Sequence, residues 1–348
     1  MPLEAPEGAA SRRKLVEFLL ATFHLGATAP FVAPDLLRWK YDDPRPDWPG
    51  PRSFVWTENG ATVAHACMCP VTYSLPGGAV SGSYLIDWAA ARTSAGAGVS
   101  LLRSLGRKCD ALFAVGGSSD TRAILPKLGY RHIGDLHFFA RPLRPWKQVR
   151  SDPYPRGWKA PLRLARNIAW SRSPLPDASP GWSANPVTRW DESAQPLFDA
   201  RADSKYPCTR LTPELMDYFM RCPAAVWSAA LLVHDNTPHG WYVLARIGGQ
   251  TRIADLWVDS DSAADWTTAY SLALRAAFRD PEACELTASA SIPPAIEAAP
   301  RAGLRFRHAE PIFVLDPKKR FAAAPPLNVS FLESDLAYIS DPSYPYLT

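Results

Sequence analysis

The feature that most constrains this chain is that it repeats itself. Leu36-Leu37-Arg38-Trp39-Lys40-Tyr41-Asp42-Asp43-Pro44 aligns without a gap to Leu215-Met216-Asp217-Tyr218-Phe219-Met220-Arg221-Cys222-Pro223. Each segment follows a proline–acid pair, Pro34-Asp35 and Pro213-Glu214. The fixed φ of proline and an acidic first turn suit a helix start, and the closing proline ends the helix. Further along, Ile86-Asp87-Trp88 corresponds to Ala254-Asp255-Leu256, and Leu128-Gly129-Tyr130-Arg131 to Ala302-Gly303-Leu304-Arg305. Markers recurring in one order imply a duplicated domain, and 348 residues are enough for two.

Composition narrows the class. Hydrophobic residues make up 47% of the chain, which excludes a globally disordered protein. The net charge of +4 is too small to make nucleic acid the expected partner. The apolar run Val16–Phe23 is broken by Glu17 and is far short of the roughly 20 residues that span a bilayer. With Glu4 and Glu7 near the start there is no basic leader region, so a cytoplasmic protein is expected. The 6 cysteines read as reduced, buried thiols.

The expected organisation is an N-terminal helix or arm (1–30), a first domain (31–145), a proline-rich basic linker (146–185), a second domain (186–320) and a tail (321–348). The linker holds Lys147, Arg150, Arg156, Lys159, Arg163, Arg166 and Arg172 against Asp152 and Asp177. Ala160–Trp170 has the pattern of a short basic amphipathic helix of the kind that touches lipid or a partner; a solvated connector is the expected state.

Within the first copy the pattern gives a helix (Pro34–Tyr41), a strand (Arg52–Thr57), a hairpin turn at Asn59-Gly60 and a strand (Thr62–Cys69). After a turn at Pro76-Gly77-Gly78 come a strand (Gly82–Ala89), a glycine-containing loop and a helix (Val99–Asp110). The strand Ala111–Val115, the helix Thr121–Lys127 and a closing strand (Leu136–Ala140) complete it. The second copy shows the same order. Antiparallel strands followed by a strand–helix–strand crossover define an α+β class, each domain a mixed, mostly antiparallel sheet flanked by helices.

The loop Ala95-Gly96-Ala97-Gly98 carries the main chemical signal. Glycines between a strand and a helix let backbone approach a ligand, and free N–H groups at the helix start favour an anion such as a pyrophosphate. Asp87 and Tyr84, on the preceding strand, are the titratable candidates for proton transfer; a carboxylate capping the sheet end and a packed strand aromatic are the structural alternatives. His65, Cys67 and Cys69 share one face of a strand, but alternate residues lie nearly 7 Å apart, too far for one zinc ion, so no metal is expected.

These residues resemble the GNAT acyltransferase superfamily, in its two-domain form. The matching stretches are Leu85-Ile86-Asp87-Trp88-Ala89, the glycine loop leading into Leu101-Leu102, and Lys127-Leu128-Gly129-Tyr130. The resemblance covers about residues 31–145 and, more faintly, 186–315. It implies acetyl-CoA or another acyl-CoA as co-substrate. Trp88, Ala89 and Ala90 would line the pantetheine, and Gly96, Ala97, Gly98 and Val99 the pyrophosphate. Ser118, Ser119 and Asp120 would lie beside the thioester arm.

By the same resemblance the chain would transfer an acyl group, acetyl first of all, to an amine of a small molecule or peptide held in the cleft between the domains. Three departures accompany it. Thr93 stands where the family has Arg or Gln, and Leu125 where many members place a tyrosine acid. Asp259-Ser260-Asp261-Ser262 replaces the glycine loop in the second copy, where its carboxylates would repel a pyrophosphate. The second copy is therefore expected to be degenerate. The competing readings are a GNAT-fold scaffold without catalysis, and aminoacyl transfer from a charged tRNA, which the modest net charge disfavours.

Overall fold

A computed structural model describes residues 4–151, 159–339, 341 and 345–348. Asp152 and Arg156 of the linker, and part of the closing Ser-Tyr-Pro-Tyr, lie outside the described residues. In chain order the elements begin with α1 (Gly8–Thr22), α2 (Pro34–Leu37, continued by a wider turn over Arg38–Asp42), β1 (Ser53–Glu58), β2 (Ala61–Leu75) and β3 (Gly78–Ala90). Then come α3 (Ala95–Leu105), β4 (Ala111–Val115), α4 (Ser119–Ile124), β5 (Arg131–Pro142), α5 (Pro145–Ser151) and α6 (Ala160–Ser171). The second half runs β6 (Trp182–Val187), α7 (Gln195–Ala202), α8 (Pro213–Met220), β7 (Val226–His234), β8 (Thr237–Ile247), β9 (Gln250–Val258), α9 (Ala263–Arg279), β10 (Glu285–Ala290), α10 (Pro293–Arg301) and β11 (Arg305–Leu315). From α7 onward the order of α1–β5 is repeated, as the sequence markers require.

The chain packs as two compact units. The first comprises residues 1–133, 221–224 and 311–324. Its strands β1, β2 and β3 are antiparallel, joined by turns at Asn59-Gly60 and Gly77-Gly78 whose residues all have positive φ. β3 then pairs parallel with β4, and β4 antiparallel with Ile312–Leu315 of β11. The alternation of β2 decides its two faces. Ala64, Ala66 and Met68 join Leu101, Leu102 and Leu105 of α3 in one core, while His65 is turned the other way, against Tyr41.

The second unit comprises residues 134–220, 225–310 and 325–348. Here β6, β7, β8 and β9 are antiparallel, β9 is parallel to β10, and β10 is antiparallel to β5. Buried residues of α9 (Trp266, Ala269, Tyr270, Ala273, Leu274) supply much of its core.

The unit boundaries differ from those expected at 145 and 320. The closing strand of the first copy belongs to the second unit from Gly134 onward, and the end of β11 belongs to the first. The linker also differs from a solvated connector. α5 and α6 belong to the second unit, Asn167 and Trp170 are buried, and Asn167 Nδ2 donates to Gln148 Oε1 at 3.1 Å.

Candidate functional site

In the first unit the parallel contact between β3 and β4 is short. It comprises Gly82↔Ala111, Ser83↔Leu112 and Tyr84↔Phe113, and no pairing follows it. Beyond Tyr84 the two strands part, leaving the backbone of Leu85–Ala90 without a partner on the β4 side. The cause lies in β3 itself. On its other edge the register with β2 slips between His65↔Ala89 and Cys67↔Ile86, so Asp87 and Trp88 together oppose Ala66. Such a bulge bends and twists the strand that carries it. Asp87 adopts φ 53°, a left-handed conformation that Asp and Asn tolerate better than most residues.

The bulge is held from the α2 side. Lys40 Nζ lies 2.5 Å from Asp87 Oδ2, and the Tyr41 hydroxyl donates to the same oxygen at 2.7 Å. The backbone carbonyl of Asp87 is 3.1 Å from His65 Nδ1, which therefore carries the proton; His65 Nε2, 3.0 Å away from Ser53 Oγ, accepts from that hydroxyl. Burial pushes the imidazole down to about 4, against the raising influence of Asp87, so the ring is neutral. Cys67 and Cys69 share the buried face of His65 as expected; among the described residues no group of three or more His, Cys, Asp or Glu side chains is placed to hold an ion.

Past the bulge the chain turns through Arg92–Ser94 into α3. The expected loop at 95–98 is in fact the first turn of that helix, so the amides of Ala95, Gly96 and Ala97 are helix-start N–H groups without an intrahelical acceptor, while those of Gly98 and Val99 enter the helix's own bonding. The two glycines have different surroundings. A Cβ on Gly96 would meet nothing within 4 Å. One on Gly98 would lie 2.9 Å from Ala90 Cβ and 3.5 Å from Trp88 Nε1, so Gly98 lets α3 pack against the end of β3. Ala97 is buried in the α3 core, Val99 is half-buried, and Trp88 and Ala90 border the same core. Ala89 is buried opposite His65.

Ser118 caps α4, its hydroxyl accepting from Thr121 N at 3.2 Å, and Ser119 and Asp120 are exposed in the first turn. Leu125 is buried in the core. Tyr84, proposed for proton transfer, is packed: its hydroxyl is 2.8 Å from that of Tyr73 and its ring stacks on Phe113. Asp87 likewise spends its carboxylate on Lys40 and Tyr41. Tyr84 is thus a packed strand aromatic, while Asp87 differs from a cap on backbone N–H groups, because its carboxylate faces two side chains of the segment after α2. Lys40 was missed by sequence reasoning, although a lone lysine between Trp39 and Tyr41 in an apolar helix is the mark of a buried cation needing a counter-ion.

The second unit repeats the arrangement. β9 and β10 are parallel over Gln250↔Glu285, Thr251↔Leu286 and Arg252↔Thr287 and then part. The β8–β9 register slips between Val243 and Leu244, beside Asp255. Asp255 is buried against Arg201 at 3.3 Å and accepts from Trp241 Nε1 at 2.7 Å. Here, however, the chain binds its own tail. Ser291, just past β10, donates its hydroxyl to Leu327 O and accepts from Val329 N, while Arg252 of β9 donates to the carbonyls of Leu336 and Ile339. Leu327, Val329, Phe331 and Leu332 are buried.

No family model matches the chain, and no curated protein matches its sequence. Solved structures do match it in fold. A GCN5-related N-acetyltransferase from Anabaena variabilis superposes with a TM-score of 0.58 at 11% identity, over 90% of this chain and 73% of that one. A probable N-acyltransferase of unknown function from Enterococcus faecalis gives 0.55 at 10% identity, over 93% and 75%. The N-myristoyltransferase of Saccharomyces cerevisiae, with bound myristoyl-CoA, gives 0.59 at 12% identity, over 91% and 84%. The fold of this chain is therefore a GNAT-like one.

Proposed function

We propose that this chain is an acyl-CoA-dependent N-acyltransferase whose first unit holds the acyl-CoA. The observation that carries the reading is the parting of β3 from β4 after Tyr84 and Phe113, with the start of α3 directly downstream. The fold shared with N-acyltransferases, one of them with a bound acyl-CoA, supports the same reading.

The unpaired backbone of Leu85–Ala90 is suited to bind an amide-containing arm such as pantetheine along its edge, with Trp88, Ala89 and Ala90 lining it. The first turn of α3 offers the Gly96 and Ala97 N–H groups to a pyrophosphate, with Gly98 and Val99 closing that turn behind them, and the space over Gly96 leaves room for it. Ser118 and Ser119, at the start of α4 just past the end of β4, are the hydroxyls we assign to the thioester arm. A bound acyl-CoA supplies the activated thioester carbonyl. Attack by the acceptor amine forms the amide C–N bond and breaks the C–S bond; the amine gives up a proton and the departing thiolate takes one. Asp87 acts as a positioning residue, fixing the bulge that opens the strands, and Tyr84 packs the root of the opening. The acceptor is an amine of a small molecule or peptide, and acetyl is the first acyl group to try.

A second reading, a GNAT-fold binding protein without catalysis, is favoured by Leu125, buried where many members place a tyrosine acid, and by the engagement of Asp87 and Tyr84 in packing. Calorimetric titration with acetyl-CoA and with a long-chain acyl-CoA, followed by assay of thiol release with mixed amines, separates the two. Binding with release supports the transferase; binding without release supports the silent protein.

A further inference from the structure

We propose that the α5–α6 face of the second unit is a peripheral anchor for an anionic lipid bilayer. The sequence between Leu143 and Ser173 contains eight Lys and Arg residues against a single acid, Asp152. Folding sorts these charges. Arg144 and Lys147 are spent on the body of the unit, on the carbonyls of Phe278, Pro281 and Ala283 and on Glu282. Arg150, Arg163 and Arg166 are exposed, Arg163 donating to the Thr348 carbonyl and Arg166 to Asn167 Oδ1, and β11 adds the exposed Arg305, its guanidinium 4.5 Å over the ring of Trp170. Burial, and then the neighbouring guanidiniums of Arg307, Arg163 and Arg305, push Arg166 below its usual range. Guanidiniums gathered on one face attract a polyanion.

What selects a bilayer over another polyanion is the apolar chemistry between the arginines. α5 and α6 meet through the buried Gln148–Asn167 bond, and each leaves a large apolar side chain in solvent. Among the exposed positions of α6, Leu162, Ala165, Arg166 and Ala169 recur at helical spacing with Pro161 and Arg163 beside them; on α5 Trp146, Arg150 and Ser151 are exposed. Leu162 is 63% exposed and Trp146 62%, among the most exposed large apolar side chains described. A solvated helix would place charges there. Aliphatic and indole groups interleaved with arginines instead match the boundary between phosphate headgroups and acyl chains.

The test is flotation of the full chain with vesicles of phosphatidylcholine alone and of phosphatidylcholine carrying roughly 30% phosphatidylglycerol. Binding to the anionic vesicles alone is expected. Arg150→Gln with Arg166→Gln should lower partitioning about 25-fold, at about fivefold per arginine. Leu162→Asp should lower it further, with the unfolding midpoint of that variant unchanged. Failure to float with anionic vesicles overturns the proposal. So does a Leu162→Asp variant that floats like the parent while a short RNA competes both off, because the partner is then a polyanion read by charge alone.

Discussion

Lys40 Nζ and Asp87 Oδ2 are 2.5 Å apart, and both side chains are almost wholly shielded from water. The pair joins the segment after α2 to the bulge of β3; in the second unit Arg201 joins Asp255 from α7, the counterpart of α1, so the aspartate recurs while its cation comes from another helix. A recurring aspartate at the bulge, with a buried cation supplied from a preceding helix, recurs whether or not a glycine-bearing helix start follows. The ion pair thus serves the shape of the strand.

Removing one partner should be costly, because it strands a buried charge. Lys40→Met and Asp87→Asn, the latter keeping a residue that tolerates φ 53°, should each destabilise by about 3–5 kcal/mol. The double variant should lose much less than the sum. Urea unfolding of the four proteins measures this; additive losses would mean the pair is not a coupled unit.

His65 makes stability depend on pH. Its pKa in the fold is about 4 against 6.5 for the free side chain, so the unfolded chain binds the proton more readily. The stabilisation is complete above pH 6.5 and is lost as pH falls from there through 4, about 3 kcal/mol in all. His65→Gln should flatten this part of the stability curve. A parent protein whose unfolding free energy is level from pH 7 to pH 5 would contradict the buried neutral imidazole.

The glycines of α3 should respond in opposite ways. Gly98→Ala drives a Cβ to 2.9 Å from Ala90 Cβ and should cost about 1–3 kcal/mol. Gly96→Ala meets open space within a helix and should be neutral or stabilising by up to about 1 kcal/mol. Thermal unfolding of the two variants decides it; equal effects would mean that the helix start is not packed as described.

The sequence exposed what depends on local chemistry. The proline-led helices, the Asn59-Gly60 hairpin and the left-handed Gly129 and Gly303 are all in place, because each is set by the φ preferences of one or two residues. The Asp235-Asn236 turn, also left-handed at both positions, was within reach of the same reasoning and was passed over. The crossing of β5 and β11 between units left no local mark, since either edge accepts a strand of the same pattern. α3 was expected to start at Val99; two glycines disguise a first turn whose stability comes from packing on Ala90 and Trp88. The candidate site was legible as a position, through Asp87 and Gly96–Val99. Its mechanism of opening was not, because a bulge is visible only against its partner strand. Nor were Lys40, Arg201 and Arg252, buried cations whose counter-charges and carbonyls lie far along the chain.

Arg252 shows how the second unit differs. Buried and held down to about 10 by that burial, it donates to the Leu336 and Ile339 carbonyls and ties the tail across β9. Arg252→Met should free this segment, so limited proteolysis is expected to cut between 325 and 339 before it cuts the rest of the chain. An unchanged cleavage pattern would show that the apolar contacts of Val329 and Phe331 and the Ser291 bonds hold the tail without Arg252.

The account rests on α3 presenting open amides beside the parted ends of β3 and β4. Calorimetric titration of the parent protein and of Gly96→Glu with an acyl-CoA tests it most directly, since the new side chain projects into open space and places a carboxylate where a pyrophosphate would bind. The expected result is saturable binding by the parent, loss of binding by the variant and an unfolding midpoint of the variant no lower than the parent's. No binding by the parent, or equal binding by both proteins, would contradict it.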